Sequence, residues 1–129
     1  MAENSLAPRR KVDLSNNLTL QEQAAVQTFL QRLHQHCGQT LQQIVLFGSK
    51  ARGDSGPDSD IDILIVVSEE SWPLRDTIST IAARMSLEYG VLIGPPVIGQ
   101  ERWQRQKRER FSLYENVTRE GIPLFLEVA

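Results

Sequence analysis

The residues whose types and spacing can do chemistry lie between Phe47 and Leu64. Asp60 and Asp62 are separated by one residue, and Gly48-Ser49 precedes them with ten residues between. On a strand, residues two apart share a face, and their Cα atoms lie about 7 Å apart at a rise of about 3.3 Å per residue. Two carboxylates converging from that distance suit a hard divalent cation such as magnesium, which takes oxygen ligands from one or two carboxylates, phosphates and water. A pair of such cations ~3.5–4 Å apart would stabilise both oxygens of an in-line phosphoryl displacement. Gly48 and Ser49 suit the other half of that chemistry. Glycine lets backbone amides approach a polyphosphate, and serine donates a hydroxyl hydrogen bond. Arg52 has two readings, a phosphate contact or an ion pair with Asp54 or Asp58. Each fragment alone also fits a plain turn or an acidic strand end facing water. The Gly-Lys-Ser/Thr element of a Walker loop is absent.

The surrounding elements must place these groups. Ile44 to Phe47, an apolar run before Gly48, reads as a strand covered on both faces. Gly48 to Ser59 reads as a loop with one helical turn near Lys50 to Arg52. Ile61 to Val67 reads as a second strand. Its alternation puts Ile61, Ile63, Ile65 and Val67 on one face, and Asp60 and Asp62 with Leu64 and Val66 on the other. Thr19 to Glu22 fits a capping box, followed by a helical stripe of Val26, Phe29, Leu30, Leu33 and Cys37 that Gly38 should stop. A second helix is expected from about Pro73 to Tyr89, with Leu74, Ile78, Ile81 and Met85 inward. Val91 to Ile98 reads as a third strand broken at Gly94-Pro95-Pro96. One helical region is expected over Glu101 to Glu120, with Trp103, Phe111, Tyr114 and Val117 on one face and Lys107 snorkelling across it. Leu124 to Leu126 would add an edge strand. The expected class is α/β, a small mixed sheet packed with helices. Residues 1–18 would form an N-terminal arm and 19–129 the domain.

Composition narrows the function classes. The length of 129 residues suits one domain, and 40% hydrophobic with 23% charged residues argues against disorder. No apolar run approaches a membrane span, and Met1 to Lys11 lack the apolar core of a secretory signal. One cysteine, Cys37, excludes an internal disulfide and a cysteine zinc cluster. A cytoplasmic protein without membrane contact is the expectation. The net charge is −2, with seven acids against one base over residues 54–76 and five bases against two acids over 101–110. The basic segment has little aromatic interleaving, which argues against direct nucleic-acid binding, and Glu101–Arg105 fits an i,i+4 pair on a solvated helix face. His34 and His36 would point about 200° apart on a helix, against a shared metal. Cys37 reads as a small core residue.

The pieces together are more specific. Gly48-Ser49, ten residues and Asp60-x-Asp62 resemble the signature of the DNA polymerase β-like nucleotidyltransferases. Gly48-Ser49-Lys50-Ala51-Arg52-Gly53 with Ser59-Asp60-Ile61-Asp62-Ile63 resembles the minimal nucleotidyltransferases of bacteria and archaea. The motif spans Phe47 to Leu64, and the element order fits the same domain from about Thr19 to Leu126. The resemblance implies a polymerase β-like fold with a nucleotide held by Gly48, Ser49, Arg52 and Ser59. It implies Asp60 and Asp62 as catalytic residues and Mg2+ ligands, and ATP as the donor of AMP. It also implies a small helical HEPN-type partner, as in toxin–antitoxin pairs whose nucleotidyltransferase attaches AMP to the toxin. A homo-oligomer is left open.

The sequence departs from that pattern in one respect. Active relatives carry a third carboxylate on a neighbouring strand, which would ligate the metal and help deprotonate the attacking hydroxyl. Tyr89 to Ile98 contain no acid, and Leu92 or Ile93 takes the expected place. Two functions therefore stand side by side: an adenylyl-transferring antitoxin, and a weakened nucleotidyltransferase-fold module that binds its partner without turnover. Transfer to a small molecule ranks lower, because it calls for an added domain or a dimer. The domain leaves no residues for a separate acceptor module, so the acceptor surface is expected from another chain.

Overall fold

The two most β-branched and apolar runs of the chain pair at its centre. The computed structural model describes residues 13–56 and 58–126. Strand β1 (Leu41–Phe47) runs antiparallel to β2 (Ile61–Val67), with Phe47 opposite Asp62 and Leu46 opposite Ile63. Between them lies α2 (Gly48–Arg52), the helical turn expected in the loop. Helix α1 (Leu20–Cys37) precedes β1 and begins with the anticipated capping box, in which the Glu22 amide donates to the Thr19 hydroxyl and the Thr19 amide to Glu22 Oε1. Gly38 ends it in right-handed geometry and leads into one 3-10 turn, Gly38–Thr40. Helix α3 (Trp72–Tyr89) carries the chain across from β2 to the far edge and stops at Gly90, whose φ of 66° is left-handed.

The broken third strand is two strands, β3 (Ile93–Gly94) and β4 (Val97–Gly99), both parallel to β2. The interruption at Pro95-Pro96 still serves the sheet, because the Pro96 carbonyl accepts from the Ile65 amide at 2.9 Å. Prolines sit at this edge, where no outward donor is needed.

The single helical region expected over Glu101 to Glu120 is two helices, α4 (Gln100–Arg108) and α5 (Ser112–Glu120). The chain reverses at Arg110, which holds φ 54°. In a continuous helix Trp103 and Tyr114 would lie about 16 Å apart at 1.5 Å per residue. Here their ring centroids are 5.1 Å apart, and Trp103 and Val117 enter the same core cluster. The break is what lets two short helices cover one sheet face. Phe111 caps α5 and is 48% exposed rather than sharing the buried face, and Lys107 is exposed. The last strand, β5 (Ile122–Pro123), pairs with β1 two residues before the expected Leu124 to Leu126, and Leu124 is buried.

Among the described residues five strands form one sheet in the order β3-β2-β1-β5, with β4 continuing along β2. Ile61, Ile63, Ile65 and Val67 pack under α1 and α3, whereas Leu64, Val66 and Val45 pack under α4 and α5. Of the expected arm, residues 1–12 lie outside the described residues. Leu18 is buried in the core and Leu14 packs against it. Cys37 also packs on this core. His34 is half-buried, with Nδ1 2.8 Å from the Leu30 carbonyl. No helix among the described residues is long and apolar enough to cross a membrane.

The joint between α5 and β1 is tight enough to test. A Cβ on Gly121 would lie 2.3 Å from the Val117 carbonyl oxygen and 2.6 Å from a Val45 methyl. Gly121→Ala is expected to destabilise the fold by about 1–3 kcal/mol in urea titration. Gly38→Ala, in right-handed geometry with nothing near its Cβ, should be neutral or stabilising by up to ~1 kcal/mol.

Candidate active site

The loop and the acids meet because β1 and β2 are paired in this register. Phe47 lies opposite Asp62, so the residue after Phe47 is brought to the Asp62 side chain. Gly48 holds φ 76°, and a Cβ there would lie 2.5 Å from Asp62 Oδ2. Both facts call for glycine: the backbone conformation and the absence of room. On the other side of Asp62, Gly94 pairs from β3, and its Cβ would stand 3.5 Å from Asp62 Oδ1. The Asp62 carboxylate thus sits between two glycines on neighbouring strands.

Asp60, exposed just before β2, feels the same site. Burial pushes the Asp62 carboxyl above its usual range, the charge of Asp60 pushes it further, and Arg52 draws it partly back. Two carboxylates competing in this way form a hard-oxygen donor set that a divalent cation would relieve. Among the described residues no cluster of three or more His, Cys, Asp or Glu forms a metal site. Gly94 stands beside Asp62 in the sheet, and Ile93 beside Ile61.

Of the other residues singled out, Ser49 lies in the first turn of α2, half-buried. The Ser59 hydroxyl accepts from the Gly56 amide at 3.0 Å and closes the loop before Asp60. Arg52 donates from Nε to Asp54 Oδ2 and from Nη1 to Glu120 Oε1, both at 3.1 Å. The Asp54 pairing is one of the two anticipated, while Glu120, at the end of α5, was not foreseen.

Two further carboxylate networks carried no local sequence signal, one beside the turn and one at the far end of β2. Lys50 is buried and pairs with Glu22 Oε2 of α1 at 2.7 Å. Burial would raise the Glu22 carboxyl, but Lys50 and the Thr19 amide hold it below the usual range. Glu70, just after β2, accepts from Arg75 of α3, from Arg102 of α4 at 2.6 Å and from the Gly99 amide at 2.8 Å. Burial opposes ionisation of Glu70 as well, and these three donors overcome it. Arg102, exposed on the basic segment, is therefore paired within the chain.

A family model of the nucleotidyltransferase domain matches residues 25–112. The chain belongs to the nucleotidyltransferase domain family. It is 34% identical over 106 residues to a Methanocaldococcus jannaschii protein named "Putative protein adenylyltransferase MJ0604", covering 82% of this chain and all of that protein. A second protein of that organism, "Putative protein adenylyltransferase MJ0141", is 46% identical over 56 residues, which cover 43% of this chain and 57% of that protein. Among solved structures, a "putative minimal nucleotidyltransferase" superposes with a TM-score of 0.52 at 24% identity, covering 88% of this chain and 97% of that one. A toxin–antitoxin structure with AMP-PNP superposes with a TM-score of 0.51 at 20% identity, covering 75% and 70%. These two likenesses establish the fold, that of the minimal nucleotidyltransferases.

The raised Asp62 carboxyl has a stability consequence with a definite sign. The ionised form is disfavoured in the folded state, so the penalty is absent below the unfolded value of 3.8 and fully present above the folded one. Asp62→Asn is expected to stabilise the metal-free protein at neutral pH. The gain should shrink to nothing as pH falls through that window, as read from thermal midpoints across a pH series.

Proposed function

We propose that the chain is a metal-dependent nucleotidyltransferase that moves AMP from ATP to a hydroxyl of a partner protein in the cytoplasm, with residues 19–129 as its nucleotidyltransferase domain. One observation carries the reading: the Gly48 turn, suited to a triphosphate, abuts the Asp62 carboxylate, suited to the cation that accompanies it. Asp60 and Asp62 are the catalytic residues and the Mg2+ ligands, and Gly48, Ser49, Arg52 and Ser59 bind the nucleotide. Bound Mg2+ supplies positive charge against the phosphates as they react.

The acceptor hydroxyl oxygen bonds to the α-phosphorus as the bond from that phosphorus to the bridging oxygen breaks. Pyrophosphate leaves with the electron pair, and the hydroxyl proton passes to solvent. Ser49 donates its hydroxyl to a phosphate oxygen, and Arg52 sets its guanidinium against the polyphosphate. Both orient the nucleotide for in-line attack.

Three observations support a protein acceptor. The relatives at 34% and 46% identity carry the name protein adenylyltransferase. A structural neighbour is a toxin–antitoxin assembly with an ATP analogue. Beside the acidic loop, a cleft of about 470 Å³ is lined by Asp58 and Ser59 on one side and by Leu87 and Leu92 on the other, leucines 87% and 59% exposed. A HEPN-type helical toxin would make this chain its antitoxin. Gly94 beside Asp62 favours the second reading, a module that assembles with the same partner without turnover.

The test is incubation with ATP labelled at the α-phosphate, Mg2+ and a HEPN-type helical protein taken from the gene's own neighbourhood where one is encoded there. Label on that partner, with a mass gain of one AMP, is expected, and Asp60→Ala or Asp62→Ala should bring it to background. Ser49→Ala, losing one hydrogen bond to a charged group, is expected to cost about 1.5–3 kcal/mol, a ~10–150-fold loss in kcat/KM. Leu87→Ser/Leu92→Ser should keep ATP binding and lower transfer. An unlabelled partner, neutralised equally by wild type and by Asp60→Ala/Asp62→Ala, would assign the chain to the binding module.

A further inference from the structure

Helix α2 is one turn long, and a single turn has no independent stability. Something outside it must hold Gly48 and Ser49 against Asp62. The Lys50 side chain, 4% exposed, reaches Glu22, 8% exposed, in the first turn of α1. Glu22 uses both oxygens: Oε2 takes Lys50, and Oε1 accepts from the Thr19 amide and closes the capping box. The same end of α1 makes a second tie. Asn17 donates from Nδ2 to the Lys50 and Ala51 carbonyls at 3.0 and 3.1 Å. A buried ion pair is poor evidence of a stability device, since apolar replacements of similar volume often do as well. What it supplies is a fixed direction and distance between α1 and the turn.

We infer that Glu22 and Lys50 are positioning residues for nucleotide binding, joining the start of α1 to the Gly48-Ser49 turn so that the turn keeps its place beside Asp62. The inference rests on the nucleotidyltransferase reading for its consequence, and on geometry for the positioning itself. Neither residue is assigned a contact with substrate. Displacement of a binding group by about 1 Å can cost ~100-fold in rate, so a turn released from α1 should bind ATP less well while the domain stays folded.

The test uses the full chain with Glu22→Gln/Lys50→Met, which removes both charges together and keeps an amide to serve the capping box. Three quantities are read: the thermal midpoint, hydrogen exchange at the Gly53 and Asp54 amides, which donate to the Ser49 carbonyl, and the kinetics with ATP and Mg2+. The expected result is a retained midpoint, exchange at those amides faster by tenfold or more, and KM for ATP raised ~10–100-fold with a smaller change in kcat. If the double variant unfolds, Glu22→Gln/Lys50→Gln carries the same comparison, because it removes the same ion pair and leaves a polar amide at each position. Wild-type exchange in a folded variant would overturn the inference, and so would an unchanged KM in a protein that turns over ATP. If the wild type neither binds nor turns over ATP, the nucleotidyltransferase reading fails, while the exchange comparison still decides the positioning.

Discussion

The structure is arranged around the close approach of the Gly48 backbone to the Asp62 carboxylate. No side chain fits between them, and the chain can turn there only through a left-handed backbone angle. This contact joins two segments fourteen residues apart in the sequence. It exists only if β1 and β2 pair with Phe47 opposite Asp62. A one-residue slip would turn Asp62 to the other face and bring an isoleucine to the loop.

The apolar residues of β2 guard against that slip. Ile61, Ile63, Ile65 and Val67 are buried under α1 and α3, and Leu64 and Val66 under α4 and α5. A slip would send Asp62 into the α1–α3 core without a partner, a far larger loss than any loop contact could offset. Register is therefore enforced along the strand, while the two acids occupy only its second residue and the residue before it. Glu70 does similar work at the opposite end, where it binds β4, α3 and α4 to the exit of β2. The irregularity in the β1–β2 ladder falls between Leu41 and Gln43, at the end remote from Asp62.

How much of this was legible follows from how local each signal is. The bounds of β2 could be read directly, because β-branched residues fill five of its seven positions. Thr19 and Glu22 announced the start of α1, since a capping box is complete within four residues. The meeting of Gly48 with Asp62 came from the motif spacing, whereas the absence of room for a Cβ needed the fold. The break at Arg110 left no mark, because Arg105 to Arg110 are good helix formers or charged residues, and the reversal is imposed by Trp103 and Tyr114 seeking each other. Nothing in the motif marks Lys50 as buried. Its partner lies 28 residues earlier, and a lone lysine carries no trace of burial in its neighbours. Glu120 and Arg52 were equally hidden, being 68 residues apart.

Lys50 and Arg52 show how one helical turn can separate two electrostatic tasks. They are two residues apart on α2 and point to different elements, Lys50 to α1 and Arg52 to the end of α5. The Lys50 pair is shielded from water, so parting it would strand two charges, and it acts as a fixed strut. The Arg52 guanidinium stands partly in solvent; its pair with Asp54 is exposed on both sides, where an ion pair contributes about 0–1 kcal/mol, whereas Glu120 is largely covered. A guanidinium that shares an exposed carboxylate can exchange it for a phosphate at little cost, whereas a buried lysine cannot. In the nucleotidyltransferase reading this division is what the site requires. The turn must stay still so that Gly48 keeps its distance from Asp62, and one cation beside it must be free to change partners when the polyphosphate enters.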